Sequence, residues 1–431
     1  DECEKLKMKF DTICVQGAHN PAENRNTPPV PIYQTTAFSF DNVQYAADLF
    51  DLKANGDIYT RLSNPTTNTL EERLAMLEGG VGALAVSSGQ SASLIAILNI
   101  AKSGDEVVAS TNMYGGTVNL LNVTLNKMGI KTHFVSSDNA EDFEAQVTDK
   151  TRCIFVEMLN NPSLKIADVE NIARVAHKHN IPLIVDNTIP SPYLCRPIEF
   201  GADIVVHSLT KYICGHGTSM GGVIIDSGNF DWVKSGKFPE LTEPDESYHG
   251  TKYVESFGKM AYIVKARAQM IRDLGTCISP MNSFLIIQGL ETLSLRMERV
   301  SKTALKVAEF LENHPAVTWV NYPMLKDNKY HELAMKYMPK GCSSIVSFGV
   351  KNGKDAGVKF IEHLTLPIHA TNIGDSRTII TYPALTTHRQ LTEEQMKECG
   401  IGTDFMRLSV GLEDIDDIIQ DLDNALKISQ Q

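Results

Sequence analysis

Short apolar runs recur along the first half of the chain and alternate with longer amphipathic stretches. Their length and their content of Val, Ile and Ala are typical of buried strands. The stretches between them, such as residues 168–177, place apolar residues at helical spacing. Strands joined by helical crossovers predict an α/β fold with a mainly parallel sheet. The strand-like runs are 83–88, 106–110, 131–136, 152–157, 182–186, 202–207 and 221–226.

The pattern changes after about residue 268. A long helical stretch that includes residues 300–313 is followed by strand-like runs at 343–348 and 378–382 and a helical pattern at 413–427. This order predicts a smaller α+β C-terminal domain. The first residues are rich in Asn, Pro and Thr, which suits an extended arm that reaches a partner subunit. We therefore expect three parts: an arm (1–60), a large domain (61–268) and a C-terminal domain (269–431).

Two chemically distinctive residues follow successive predicted strands. Asp186 ends the run at 182–186, and Lys211 comes shortly after the run at 202–207. The carboxyl ends of parallel strands meet at one edge of a sheet, so we expect this acid and this amine to share a site. Pyridoxal phosphate (PLP) requires such a pair: an amine that holds its aldehyde and an acid that keeps its ring nitrogen protonated. For either residue alone, a solvated lysine or a turn-forming aspartate is the alternative.

The segment Ser88-Gly89-Gln90 lies between a strand-like run and a helix-like segment. Backbone N–H groups in the first turn of a helix bind phosphate, and the helix dipole favours its charge. Ser208 and Thr210, beside the lysine, are candidate hydroxyl donors. Taken alone, the segment is more typical of an ordinary helix cap.

Three further side chains suit the same cofactor. Tyr59 and Arg61 share one face of an extended segment and offer a hydroxyl and a guanidinium to phosphate. Tyr114 follows the run at 106–110, where its ring could stack on a flat cofactor. An exposed arginine and a core tyrosine are the alternatives.

Composition narrows the class of protein. The formal net charge of −12 disfavours nucleic acid and anionic membranes as partners. No apolar run is long enough to span a membrane, and no secretory signal pattern is present. The eight cysteines are scattered and form no CxxC pair or metal spacing. We therefore expect reduced thiols, no metal and a cytoplasmic location.

The motifs around these residues resemble those of the PLP-dependent Cys/Met metabolism family, the cystathionine γ-synthase-like group, over nearly the whole chain. The resemblance implies PLP as cofactor and a PLP-dependent aminotransferase type I-like fold, α/β with a seven-stranded mainly parallel sheet. It also implies a homo-oligomer in which Tyr59 and Arg61 complete the site of a neighbouring subunit. Such proteins are usually tetramers, each a pair of catalytic dimers.

The resemblance assigns roles to individual residues. Lys211 holds the cofactor as a Schiff base, Asp186 pairs with the ring nitrogen and Tyr114 stacks on the ring, so these three are the implied catalytic residues. The implied substrate-binding residues are Asn161, Asn372 and Arg407, whose guanidinium suits a carboxylate. A surface ion pair is the alternative for Arg407, and a turn before proline for Asn161. The implied cofactor-binding residues are Tyr59, Arg61, Ser88, Gly89, Gln90, Tyr114, Asn161, Asp186, Ser208, Thr210 and Lys211.

Several segments are similar to the O-acetylhomoserine sulfhydrylase branch of this family, namely 272–285, 288–293, 372–375 and 386–388. The polar stretch at about 231–258 is similar to an insertion of that branch. Two positions are informative. Val300 stands where the branch commonly has His, and Gly116 stands where γ-eliminating members often have Cys.

This resemblance implies a small-molecule enzyme of methionine biosynthesis. The implied reaction is PLP-dependent γ-replacement, which converts O-acetylhomoserine and sulfide into homocysteine and acetate. A γ-lyase, a cystathionine γ-synthase and a non-catalytic binding protein of the same fold are the alternatives. We expect Lys211 to act as a base, with its pKa lowered by burial and by nearby cations such as Arg61.

Overall fold

A computed structural model describes residues 8–386 and 401–431 of the chain. Its larger sheet has seven strands: β1 (Gly82–Val86), β2 (Glu106–Ser110), β3 (Lys131–Val135), β4 (Thr151–Glu157), β5 (Leu183–Asp186), β6 (Ile204–Ser208) and β7 (Gly222–Asp226). Their order across the sheet is β1-β7-β6-β5-β4-β2-β3. Only β7 runs antiparallel to its neighbours, β1 and β6. The mainly parallel seven-stranded sheet is therefore confirmed, and each strand overlaps a predicted run.

Both faces of this sheet are buried. Val185, Val205 and Val223 face one side and belong to a core that extends to the C-terminal part of the chain. Ile184 and Ile204, one position earlier in β5 and β6, face a second core on the other side. Successive residues in a strand point to opposite faces, so two buried faces need nearly continuous apolar runs. This is why the strand-like runs of the sequence show no polar alternation.

Helices cover the two faces. The helix at Pro65–Glu78 illustrates how local sequence sets their ends: the Asn64 side chain accepts a hydrogen bond from the Thr66 N–H at the start, and Gly79 closes the end with a left-handed backbone at φ 82°. Among the described residues, no helix has both the length and the apolar character needed to cross a membrane. The first helices are α1 (Phe10–Gln16), α2 (Val43–Phe50), α3 (Pro65–Glu78), α4 (Gly89–Leu98), α5 (Gly115–Asn119), α6 (Ala140–Glu144), α7 (Val169–Lys178) and α8 (Ser191–Leu194).

Two of the described helical segments are π-helices. Leu120–Leu125 continues α5, and Ala266–Ile271 continues the helix that precedes it. The predicted helices at 300–313 and 413–427 form parts of the two longest later helices. The α-helices are α9 (Trp232–Ser235), α10 (Pro239–Thr242), α11 (Tyr253–Phe257), α12 (Ala261–Lys265), α13 (Arg272–Leu274), α14 (Pro280–Glu291), α15 (Leu293–Glu312), α16 (His331–Tyr337), α17 (Gly353–Glu362) and α18 (Ile415–Ser429).

A second sheet lies in the C-terminal part of the chain. Its five strands are β8 (Val317–Asn321), β9 (Ile345–Val350), β10 (Ile368–His369), β11 (Ile379–Thr381) and β12 (Phe405–Ser409), in the order β10-β11-β12-β9-β8. This smaller sheet with its helices confirms the predicted α+β character. The predicted domain boundaries stay a prediction. Thr387 and His388, which contributed to the resemblance, lie outside the described residues.

A buried carboxyl group ends β7. Asp226 is fully buried, and its Oδ1 accepts a hydrogen bond of 2.9 Å from the Gly228 N–H. Its Oδ2 is buried and has no partner within the described chain. Burial, and to a lesser extent the neighbouring Asp203 carboxyl, raises the pKa of Asp226 to about 7. Between pH 3.8 and about pH 7, the Asp226 carboxyl is therefore protonated in the folded protein and ionised in the unfolded chain.

We expect Asp226→Asn to stabilise the protein increasingly as pH rises. The folded-state pKa of Asp226 exceeds the unfolded value of 3.8, so the parent loses stability as pH rises between these values, and an asparagine does not ionise. The advantage of the variant in unfolding free energy should grow by about 2 kcal/mol between pH 5 and pH 8. Thermal unfolding of both proteins at the two pH values measures it, and a pH-independent difference would contradict the assignment.

Candidate active site

Several strands of the larger sheet end at one edge. Asp186, the last residue of β5, pairs in register with Glu157, the last residue of β4. Ser208 ends the neighbouring β6, and Lys211 lies in the connection that leads from β6 to β7. The structure therefore brings the predicted acid and the predicted amine to the same edge.

Thr188 links the ends of β5 and β6. Its backbone N–H and its hydroxyl both donate hydrogen bonds to Asp186 Oδ1, at 2.9 and 2.5 Å. The same hydroxyl accepts a hydrogen bond of 2.8 Å from the Ser208 N–H. Burial raises the pKa of Asp186, while the two bonds from Thr188 act in the opposite direction. Sequence reasoning missed Thr188, although its position two residues after a strand-ending aspartate is typical of an Asx turn.

The Lys211 amine is partly buried and faces the C-terminal part of the chain. Its Nζ donates a hydrogen bond of 2.7 Å to Asn372 Oδ1. Burial, followed by the charge of the Arg407 guanidinium, lowers the pKa of Lys211. The predicted direction of this pKa shift agrees with the structure. The cation that acts on the amine within one chain is Arg407. The predicted effect of Arg61, which is expected to come from a neighbouring subunit, stays a prediction.

The amino end of α4 meets Ser208 and Gly222 closely. A Cβ at Gly89 would lie 2.7 Å from Ser208 Cβ, and a Cβ at Gly222 would lie 2.0 Å from the Ser88 carbonyl oxygen. The Ser88 side chain caps the helix by accepting from the Ser91 N–H at 3.1 Å. Within the described chain, the N–H groups of Gly89 and Gln90 have no acceptor. This edge therefore presents unpaired donors to an anion.

Thr210 lies beside this cradle, but its hydroxyl already has backbone partners. It donates to the Gly221 carbonyl oxygen at 3.3 Å and accepts from the Gly221 N–H at 3.2 Å. Both distances are long for hydrogen bonds. These two bonds link the start and the end of the connection that carries Lys211. The predicted contact of the Thr210 hydroxyl with phosphate stays a prediction.

Tyr114 is fixed through its backbone by a buried acid. Its N–H donates a hydrogen bond of 2.7 Å to Glu157 Oε2, while its side chain is 53% exposed. Burial, together with the charge of Asp186, raises the pKa of Glu157 well above its ordinary value. The two neighbouring carboxyl groups at this edge therefore both have raised pKa values. Sequence reasoning missed Glu157 because the run at 152–157 predicts only a buried strand.

The Tyr114 ring lies against Gly116 and Gln90. A Cβ at Gly116 would lie 2.5 Å from Tyr114 Cε1 and 2.8 Å from Gln90 Nε2. Any larger residue at position 116 must therefore displace the ring or the amide. The absence of a side chain at Gly116 thus leaves room for the tyrosine ring in its observed position.

The three predicted substrate-binding residues lie together. Arg407 on β12 is 6% exposed and donates from Nη1 to Asn161 Oδ1 at 3.2 Å. Its Nη2 donates to Thr381 Oγ1 at 2.8 Å and to the Asn372 carbonyl oxygen at 3.3 Å. Its Nε is buried and has no partner among the described residues. Burial lowers the pKa of Arg407 to about 10, so the group remains a cation at neutral pH and retains a donor for a carboxylate.

Tyr59 and Arg61 line an open pocket within one chain. Both are exposed, and the Arg61 guanidinium lies over the Tyr59 ring, 5.2 Å from its centroid. The pocket is also lined by residues 34–36, 275 and 277–280, and Lys211 is not among its lining residues. This placement is compatible with delivery of both side chains to another subunit, which stays a prediction.

The residues at the sheet edge fit PLP. The unpaired N–H groups at α4 suit its phosphate, the partly buried Asp186 suits a protonated ring nitrogen, and the Lys211 amine suits its aldehyde. Tyr114 offers an exposed ring at the same edge. The arrangement therefore supplies each type of group that the cofactor requires, at one edge of one sheet.

Comparison with known proteins extends this result. A family model described as "Cys/Met metabolism PLP-dependent enzyme" matches residues 11–427. The chain is 51% identical over 429 residues to an O-acetyl-L-homoserine sulfhydrylase of Leptospira meyeri, with 97% of each chain covered. It is 44% identical over 436 residues to a homocysteine/cysteine synthase of Saccharomyces cerevisiae, with 98% of each covered.

A solved structure shares the whole fold. It is described as an O-acetylhomoserine (thiol)-lyase of Campylobacter jejuni with N'-pyridoxyl-lysine-5'-monophosphate, and it is 40% identical with a TM-score of 0.94. The match covers 97% of this chain and 100% of that one. The predicted family, fold and cofactor are therefore confirmed. The chain belongs to the Cys/Met metabolism family of PLP-dependent enzymes.

Proposed function

We propose that this enzyme converts O-acetylhomoserine and sulfide into homocysteine and acetate, a γ-replacement in methionine biosynthesis. The observation that carries the proposal is the convergence of Lys211, Asp186 and Arg407 at one edge, in a chain 51% identical to a protein named for this reaction. An amino-acid substrate needs a carboxylate site next to the base. Arg407 and Lys211 supply these two groups side by side.

Arg407 binds the substrate carboxylate through its guanidinium, which Asn161 and Thr381 hold in place. This places the substrate Cα near Lys211, whose lowered pKa leaves more of the amine neutral and able to accept the Cα proton. Asn372 directs that amine through the 2.7 Å hydrogen bond to its Nζ. Bound PLP supplies the electron sink for this chemistry.

The remaining steps exchange one group at the substrate Cγ. A Cβ proton is removed, the Cγ–O bond breaks and acetate leaves with the bonding electrons. Sulfide then forms the new Cγ–S bond, and the protons return to Cβ and Cα. Lys211 and Tyr114 are the proton-transferring groups that the described edge offers, and Glu157 holds Tyr114 in place.

The proposal includes an assembly. Tyr59 and Arg61 bind the cofactor phosphate of a neighbouring subunit, so a catalytic dimer is the smallest active unit, and two such dimers form a tetramer. Support comes from the exposure of both side chains and from the open pocket that they line, which does not include Lys211. Ser88, Gly89, Gln90, Ser208 and Thr210 hold the same phosphate from within the subunit. We place the enzyme in the cytoplasm because it combines scattered cysteines with a small-molecule biosynthetic reaction.

Product analysis tests the reaction. The PLP-loaded enzyme is incubated with O-acetylhomoserine alone, with sulfide and with cysteine, and O-succinylhomoserine is compared as the ester. We expect homocysteine that depends on sulfide and little 2-oxobutyrate. Accumulation of 2-oxobutyrate and ammonia regardless of sulfide would establish a γ-lyase instead. Efficient cystathionine formation from cysteine would establish a cystathionine γ-synthase.

A further inference from the structure

Arg267 connects the body of the subunit to the segment that carries Arg61. It lies in the π-helical segment Ala266–Ile271 and donates from Nη1 to the Leu62 carbonyl oxygen at 2.6 Å. Its Nη2 donates to Glu71 Oε2 at 2.5 Å. Leu62 directly follows Arg61, so the guanidinium of Arg267 holds the backbone next to that side chain. Segments of π-helix recur at functional positions in proteins.

Glu71 anchors Arg267 to the larger sheet. This carboxyl is 4% exposed, and its Oε1 accepts a hydrogen bond of 2.8 Å from the Ala85 N–H in β1. Its other oxygen accepts from Arg267, which also approaches the Ala83 carbonyl oxygen at 3.4 Å. A continuous series of contacts therefore runs from β1 through Glu71 and Arg267 to Leu62. Charge-assisted hydrogen bonds of this kind are stronger than neutral ones.

The segment from Tyr59 to Ser63 is a turn whose side chains project outward. The N–H groups of Leu62 and Ser63 both donate to the Tyr59 carbonyl oxygen, at 2.8 and 3.2 Å. Tyr59 and Arg61 are exposed at their side chains. A hydrogen bond to the Leu62 carbonyl therefore fixes the backbone of the turn without occupying either outward side chain.

We propose that Arg267 is a positioning residue for the phosphate site of the neighbouring subunit. It fixes the turn that presents Tyr59 and Arg61, and it touches neither substrate nor cofactor. This inference rests on the proposed function, in which these two side chains complete another subunit's site. Loss of the Arg267–Leu62 hydrogen bond lets the turn move, so Arg61 meets the phosphate less often and PLP binds more weakly.

The first test measures PLP binding. Arg267→Met has a side chain of similar bulk without hydrogen-bond donors, and we expect its dissociation constant for PLP to rise about tenfold. Arg267→Lys preserves the charge beside Glu71 but has no guanidinium to bridge both acceptors, so an intermediate loss is expected. The matched control is Arg272→Met, since Arg272 contacts Asp273 and Tyr248 and leaves the turn untouched. Unchanged PLP binding by both Arg267 variants would overturn the inference.

Subunit mixing separates an effect on the neighbour from an effect within the subunit. Arg267→Met chains are mixed with Lys211→Ala chains at low PLP concentration. In a mixed dimer, one site combines the intact lysine of the first chain with the intact turn of the second. We expect more activity than either variant shows alone. A defect confined to the Arg267→Met subunit's own site would not be rescued in this way, and that result would overturn the inference.

A second mixture distinguishes failure of the inference from failure of the proposed function. Arg61→Met is mixed with Lys211→Ala under the same conditions, and rescue is expected if the site is shared. Rescue of Arg61→Met without rescue of Arg267→Met would refute the role of Arg267 alone. No rescue of Arg61→Met would refute the shared site in the proposed function, and the inference with it.

Discussion

Lys211→Ala is expected to lower the turnover number by ~10³-fold or more, because one amine both holds the cofactor and moves substrate protons. An added small amine should restore part of the activity, since it replaces the missing base without the missing attachment. Homocysteine formation and the absorption spectrum of the bound cofactor measure the two losses separately.

A matched lysine is available as the control. Lys165 lies in the connection that follows β4 and donates a hydrogen bond of 3.0 Å to Asn112 Oδ1, much as Lys211 does to Asn372. Lys165→Ala should keep most of the activity because its amine lies outside the proposed reaction. Turnover by Lys211→Ala close to that of the parent would refute the assignment of the base.

Asp186→Asn is expected to lower the turnover number by about 10²- to 10³-fold with little change in KM, a loss of the size seen when one preorganised polar group is removed. Asparagine still accepts the hydrogen bonds from Thr188, so the local structure is retained. It carries no charge, however, and cannot keep a ring nitrogen protonated. Steady-state kinetics of the PLP-saturated variant measures the effect.

Asp226→Asn is the matched control for this substitution. Asp226 is another buried carboxyl in the same sheet, but it ends the antiparallel strand β7 and lies at the opposite edge. Its loss should leave turnover unchanged at neutral pH. If Asp186→Asn also retained full turnover, the charge of Asp186 would not be needed for the reaction.

The sequence predicted those parts of the site that local pattern determines. Strands that are buried on both faces have nearly continuous apolar sequences, so the ends of β5 and β6 could be predicted from the sequence. Asp186 and Lys211 could then be placed at or near those ends. The motif at Ser88 likewise marked the start of α4, because a capping serine acts within its own turn. Recognition of the family then supplied Arg407, which lies in a strand that periodicity did not predict.

Contacts between distant segments could not be predicted in this way. Glu157 faces Asp186 only because β4 and β5 pair in register, and Thr188 reaches Ser208 only because β6 lies next to β5. The charge of Arg407 beside Lys211 was missed for the same reason, because Arg407 approaches the amine through the fold of the C-terminal sheet.

The reversed direction of β7 has a mechanical consequence for Lys211. Ser208 and Gly222 pair across β6 and β7, so the lysine lies in a connection whose two ends are joined by strand pairing. The Leu209 N–H also donates to the Gly221 carbonyl oxygen at 2.9 Å, and Arg296 donates to the Tyr212 carbonyl oxygen at 2.6 Å. The backbone at Lys211 is thus braced on both sides. In the proposed reaction, the Lys211 amine would therefore move by rotation about its side-chain bonds, while its backbone stays in place.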